Sequence, residues 1–257
     1  MNRTWPLLLL FFIASCAEAP HDLPNAVAAV GHGGMGPDHA FPMNTREAVM
    51  ACLGTRRNGV EVDVQMTQDG ALVCYHAQDL SELTDRTGLV NGFSLENLLT
   101  DCRYKEGSGK QTILPLEEVL HAAKENQTVV LDCKLFAAGD WESYLDEYAD
   151  ALAALIMNEA PDCTINIECQ VTEFLDRVQS RNTGALIFYY AQDLEKGLAI
   201  ATSEAYDGIT INNDLITGQQ IKEAHENDLQ VAVFGLDAGD EAEAAAKGAD
   251  LLQVDEP

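Results

Sequence analysis

Gly59-Val60-Glu61-Val62-Asp63-Val64 alternates strictly between valine and carboxylate. Successive side chains of a β-strand point to opposite faces, so Glu61 and Asp63 share one face and the valines take the other. Such a strand suits a parallel sheet covered by helices, with the valines packed under the helices and the acids aimed into a polar interior. Two like charges taken out of water together are costly unless a cation relieves them. The bland reading is a salt-bridged or solvated pair at a strand end.

Outward from this strand, short β-branched runs alternate with helix-like segments. The strand candidates are residues 27–32, 60–65, 129–134, 164–170, 185–190, 208–212, 230–234 and 251–254. Eight strands separated by helices predict closure into a (β/α)8 TIM barrel, an α/β fold, and 257 residues suit one such barrel. A single domain is expected over residues 26–257. Residues 141–157 carry Tyr144, Leu145, Tyr148, Leu152, Leu155 and Ile156 at helical spacing, a stripe that reads as core. Asn44-Thr45 and Thr217 read as helix N-caps, and Gly218 and Gly239 as turns or helix starts. A long insertion, residues 69–112, follows the second strand; it is expected over one barrel mouth. The chain stops just after the eighth strand, so the last helix is expected to be absent or supplied by residues before Ala26.

With 47% hydrophobic and 22% charged residues the chain can bury a core. Its 42 acidic against 15 basic residues give a formal charge of −27, which argues against nucleic acid and anionic membrane surfaces as partners. An anionic substrate would then need a local positive charge, which a divalent cation supplies.

At the N-terminus, Arg3 precedes an apolar run, residues 7–14, too short to span a bilayer and typical of a signal peptide. Ile13-Ala14-Ser15-Cys16 resembles a bacterial lipobox, so residues 1–15 read as a lipoprotein signal, Cys16 as the lipidated residue and residues 16–25 as a tether. The other reading is an ordinary secretory signal cut near Ala17 or Ala19. Either way the protein is expected to be exported, facing the periplasm or cell exterior, with membrane contact only through an anchor on Cys16. Cys52, Cys74, Cys102, Cys133, Cys163 and Cys169 lack zinc spacing and read as buried free thiols.

Asp132 in Leu131-Asp132-Cys133-Lys134 offers a third carboxylate from the next barrel strand, and Lys134 shares its face. His32 ends the first strand in Val30-Gly31-His32-Gly33-Gly34, and His76 ends the run Ala71-Leu72-Val73-Cys74-Tyr75. Two histidines beside a metal-binding acid cluster would form an acid/base site. His21, His39, His121 and His225 lack that context and read as surface residues.

The ordered set His32-Gly33-Gly34, Asn44-Thr45, Glu61-x-Asp63, Thr67-x-Asp69-Gly70, His76, Leu114-Pro115-Leu116-Glu117-Glu118 and Asp132-x-Lys134 resembles the glycerophosphodiester phosphodiesterase family. Thr217 to His225, Val231 to Asp237 and Gly248 through Pro257 are similar to that family's closing strands. The resemblance implies hydrolysis of a small-molecule glycerophosphodiester to an alcohol and glycerol 3-phosphate, with His32 and His76 as acid and base. It further implies Glu61, Asp63 and Asp132 as ligands of Ca2+ or Mg2+, and Lys134 against a phosphate oxygen. Gly33 stands where the family commonly has Arg, Met43 where it has Glu, Ala77 where it has Asp, and Asp132 where it usually has Glu. Loss of the Arg shifts phosphate binding onto the metal, Lys134, or Arg86 from the insertion, and Gly33→Arg is expected to improve turnover of small glycerophosphodiesters.

Two alternatives stay open. One is phospholipase D-like cleavage of lysophospholipid or sphingolipid headgroups, for which Leu80, Leu83, Leu89, Val90 and Phe93 would form an apolar lip or else pack the insertion onto the barrel. The other is a barrel that binds a phosphorylated ligand without turnover. Oligomeric state is not legible in the sequence.

Overall fold

The structure, a computed structural model, describes residues 27–107, 110–159, 162–236 and 239–257. The signal, Cys16 and tether readings fall outside the described residues. The β-branched runs form barrel strands β1 (Ala28–Gly31), β2 (Gly59–Met66), β5 (Thr128–Cys133), β6 (Thr164–Cys169), β7 (Leu186–Ala191), β8 (Gly208–Asn212), β9 (Gln230–Leu236) and β10 (Leu251–Val254). All eight run parallel in the order β1-β10-β9-β8-β7-β6-β5-β2, and pairing of Val30 with Gly59 and Gly31 with Val60 closes the circle. Strand ends differ from the sequence expectation by two residues at most, where alternation fades into a turn.

Helices α1 (Arg46–Leu53), α4 (Trp141–Glu159), α5 (Thr172–Ser180), α6 (Leu194–Ser203), α7 (Gly218–His225) and α8 (Glu241–Lys247) return the chain between strands. Thr45 caps α1 by accepting from the Ala48 amide, and Thr217 forms a capping box with Gln220 at α7. Asn44, expected to share the capping role, instead takes a left-handed conformation at φ 64°. Among the described residues no helix follows β10 and none is long and apolar enough to cross a membrane.

The expected division of faces holds. Val60, Val62 and Val64 join the main core between strands and helices, together with Tyr144, Leu145, Tyr148, Leu152 and Ile156 of α4. Inside the barrel, Val30, Val130, Phe188, Ala232 and Leu251 form an apolar plug. Two residues further along the same strands, the inward positions become His32, Asp132, Tyr190, Phe234 and Gln253. The barrel is therefore hydrocarbon below and charged at its C-terminal mouth.

The insertion after β2 is structured. It contains β3 (Leu72–Cys74), antiparallel to β2, and helix α2 (Leu95–Asp101); β4 (Leu114–Pro115), paired to β3, and helix α3 (Leu116–Ala122) follow it and lead into β5. Gly70 at φ 80° turns the chain between β2 and β3. Leu80 and Val90 are buried in a core of the insertion's own with Val73, Tyr75 and Leu98, and Phe93 packs against it. Of the five apolar residues considered for a lip, Leu80, Val90 and Phe93 thus pack the insertion, whereas Leu83 is exposed and Leu89 half-buried. The cysteines among the described residues are free, and all but half-buried Cys163 are buried.

Candidate active site

Each mouth residue owes its position to the alternation of its strand. Glu61 and Asp63 of β2 and Asp132 of β5 are buried, and their carboxylate oxygens lie within 4.8 Å of one another. The register that pairs Asp63 with Asp132 brings them together. Glu61 accepts from the Gly33 amide at 2.7 Å. Asp63 accepts from Asn44 Nδ2 at 2.6 Å while its own amide donates to Asn44 Oδ1 at 2.9 Å. The left-handed backbone of Asn44 turns its amide back onto β2, a conformation that Asn tolerates better than most residues.

Lys134 Nζ lies 2.5 Å from Asp132 Oδ2 and 3.0 Å from Asp63 Oδ1. Burial alone would lower its pKa, but the charges of Asp132 and Asp63 raise it, so the ammonium persists. His32 Nδ1 is 2.6 Å from Asp255 Oδ1, and its Nε2 is 4.0 Å from Glu61 Oε2. Burial acts to lower the His32 pKa; the Asp255 hydrogen bond and the charges of Glu61, Asp255 and Asp63 outweigh it and push the imidazole up to about 9. Glu61 and Asp132 are both held above the usual carboxylate range, chiefly by burial, with Asp63 adding its charge to each.

Five of the expected site residues, His32, Glu61, Asp63, Asp132 and Lys134, are therefore joined directly. His76, exposed at the end of the β3 run, lines one cavity of about 440 Å3 with Asp132 and Lys134. Arg86 is engaged elsewhere: its guanidinium lies 4.5 Å over the Phe93 ring and 3.9 Å from Asp101. His39, His121 and His225 are exposed, as expected; His21 lies outside the described residues.

Two mouth residues escape the sequence reading. Glu168 of β6 is buried, accepting from Thr210 Oγ1 at 2.6 Å and Gln253 Nε2 at 3.0 Å. Burial and the charge of Asp132 push its pKa up to about 7. The alternation Ile165-Asn166-Ile167-Glu168 carried the signal that was read in β2. Asp255 was legible only as part of the segment that resembles the family's closing strands; its partnership with His32 was not, because barrel closure is what brings β10 beside β1.

The mouth thus holds four buried carboxylates, Glu61, Asp63, Asp132 and Glu168, against the ammonium of Lys134 and the imidazole of His32. An all-oxygen donor set of this kind fits a hard divalent cation. The same residues combine the Lys134 ammonium with the imidazole of His32, and His76 adds a second imidazole on the adjoining cavity.

Residues 32–257 match the family model described as the glycerophosphoryl diester phosphodiesterase family. A glycerophosphodiester phosphodiesterase from Bacillus altitudinis is 33% identical over 98 residues, so the match spans 37% of this chain and 40% of that protein's length. An Oleispira antarctica phosphodiesterase, solved in complex with the product sn-glycerol-3-phosphate, superposes with a TM-score of 0.77 at 20% identity over 91% of this chain and 94% of that one. A glycerophosphodiester phosphodiesterase from Thermotoga maritima superposes with a TM-score of 0.68 at 18% identity over 90% of this chain and 95% of that one. At such identities the structural likeness shows the fold, whereas the family match runs from His32 to the last residue. The chain belongs to the glycerophosphoryl diester phosphodiesterase family.

Proposed function

We propose that the protein hydrolyses glycerophosphodiesters to an alcohol and glycerol 3-phosphate. The observation that carries this reading is the convergence of Lys134, His32 and three buried carboxylates at the barrel mouth, with His76 on the cavity that opens from it. Glu61, Asp63 and Asp132 would hold Ca2+ or Mg2+, which when bound polarises a phosphoryl oxygen and offsets its charge.

The remaining work falls to the chain. Lys134, fixed by Asp132 and Asp63, offers an ammonium to a phosphate oxygen. Asp255 orients His32 through Nδ1 and leaves Nε2 to exchange a proton in the site. His76 is the second proton carrier: one imidazole takes the proton of the attacking hydroxyl and the other gives a proton to the leaving oxygen.

The test is release of glycerol 3-phosphate from a panel of glycerophosphodiesters by chelator-treated protein, with and without millimolar Ca2+ or Mg2+. His32→Ala and His76→Ala should each abolish release while calorimetric cation binding survives. No release from any diester with either cation would refute the reading.

For residues outside the described part, the proposal is a lipoprotein signal over residues 1–15 and lipidation of Cys16, which would anchor the barrel at a membrane facing the periplasm or cell exterior. Radiolabelled palmitate should be incorporated by the wild type and lost in Cys16→Ser; persistent labelling would remove Cys16 as the anchor.

A further inference from the structure

The cavity that holds Asp132, Lys134 and His76 extends away from the charged cluster, and its other walls differ in chemistry. Leu135 and Phe136 follow Lys134 directly, Trp141 begins α4, Val171 follows β6, and Tyr190 comes from β7. They belong to the C-terminal ends of three neighbouring barrel strands, so together they form one continuous wall. Leu135 and Val171 rest on the main core, which fixes them. Tyr190 stacks on Phe234 at 5.2 Å, and Trp141 stacks on Tyr144 at 6.2 Å, so both rings are braced from behind. The remaining lining is neutral: Gln192 Nε2 donates to Gln170 Oε1 at 3.2 Å, which uses part of their hydrogen-bonding capacity on each other.

Trp141 is 41% exposed, in a chain with a formal charge of −27. A single exposed aromatic needs no explanation, but Trp141 continues the apolar wall of Leu135, Phe136 and Val171, and such a contiguous surface gains by being covered. The cavity volume is in the range of small-molecule sites. Its position identifies what would cover the wall. A phosphoryl group held at Lys134 has two ester substituents, and the cavity receives one of them. Glycerol presents hydroxyl groups, for which Leu135, Phe136 and Val171 offer no partner and for which the lining's amides, Gln170 and Gln192, already bonded to each other, have only their remaining capacity. Among the described residues lining the cavity the one carboxylate is Asp132, which Lys134 already occupies, so the strongly hydrated ammonium of an amino alcohol would have only a cation–π contact with Phe136 or Trp141 to replace its water.

We propose that this cavity binds the alcohol half of the diester and selects an uncharged alcohol with an apolar body, aryl or alkyl, with Phe136 and Trp141 as the residues that determine the preference. The inference rests on the phosphodiesterase reading and narrows its substrate class. Burial of hydrocarbon against Phe136 and Trp141 is uniform binding, so it acts on KM and not on the chemical step.

The experiment compares kcat/KM of the cation-loaded protein on glycerol 3-phosphate esters of 2-phenylethanol, butanol, glycerol and ethanolamine, and on a lysophosphatidylethanolamine. The phenylethyl and butyl esters should exceed the glycerol and ethanolamine esters at least tenfold. In Trp141→Ala and Phe136→Ala the ratio of phenylethyl to glycerol ester should fall at least fivefold, through KM, and Trp141→Phe should restore most of it. Equal turnover across the panel, or an equal effect of the alanine variants on every ester, would overturn the inference while leaving the phosphodiesterase reading standing. A preference for the lysophospholipid that disappears in Trp141→Ala would overturn it too, by assigning the wall to an acyl chain on the glycerol half. No hydrolysis of any ester would sink the reading beneath it.

Discussion

Asp255 Oδ1 lies 2.6 Å from His32 Nδ1, so a residue three from the end of the chain fixes a ring at the end of the first strand. The contact is charge-assisted, because His32 is raised from its ordinary 6.5 to about 9 in the cation-free protein. A base whose folded pKa lies above its unfolded value contributes stability that is complete below the unfolded pKa and is lost as pH rises through the folded one. Asp255→Asn should therefore lower the His32 pKa by a unit or more, read from its imidazole NMR titration. It should also cost about 1–2 kcal/mol at pH 6, a cost that fades above pH 9. An unchanged His32 titration would dismiss Asp255 as its partner.

Glu61 is nearly inaccessible and faces Asp63, and burial with that like charge outweighs the attraction of His32 at 4.0 Å and of Lys134. Glu61→Gln keeps the acceptor for the Gly33 amide and removes the charge. In chelator the variant should melt at a higher temperature than the wild type; with saturating Ca2+ or Mg2+ the order should reverse. Calorimetric cation affinity should fall about tenfold or more. If the variant binds the cation as tightly as wild type, Glu61 is not a ligand.

Glu168 sets a pH dependence of its own. Its pKa is raised from 4.5 to about 7, so its contribution to stability is complete below about pH 4.5 and declines as pH rises through 7. Glu168→Gln should flatten the dependence of the cation-free melting temperature between pH 5 and 8, with the largest gain over wild type at the alkaline end. Parallel melting curves across that range would show that Glu168 is not buried as a titrating acid.

Gly33 has φ 56°, and a Cβ there would lie 2.4 to 2.9 Å from three Met43 side-chain atoms. Two departures from the family's pattern, Gly33 and Met43, thus occupy one place in space. Gly33→Arg alone should destabilise by roughly 1–3 kcal/mol in urea denaturation, from overpacking and a left-handed backbone, and should not improve turnover. This revises the expectation drawn from the sequence that restoring Arg would help. Adding Met43→Ala removes the contacts with Cε and Cγ but keeps the Cβ at 2.6 Å and the left-handed backbone, so it should recover only part of the stability. A single variant as stable as wild type would mean that Met43 moves aside freely.

Period and charge settled the architecture. Strict alternation in β2 is enough to place valines outward and acids inward, since a strand offers its side chains no third direction. Repetition of β-branched runs at helix-length intervals calls for parallel strands buried on both faces, and eight of them is the number that closes a barrel of this kind. His32, Glu61, Asp63, Asp132 and Lys134 were legible for the same reason: each lies in a barrel strand or one residue past it, on the inward side that the alternation marks. The structured insertion was not, because its helix α2 and short strands are brief and draw stability from packing on Tyr75 and Leu98 rather than from local period.

Barrel closure alone decided the rest. Asp255 reaches His32 across 223 residues of sequence, and Gln253 reaches Glu168 across 85. Met43 meets Gly33 because the loop after β1 folds back, and Asn44 holds Asp63 because a left-handed residue turns its amide onto the neighbouring strand. Alternation fixes which way a side chain faces, but which other side chain it faces depends on register and closure, and those are properties of the whole sheet.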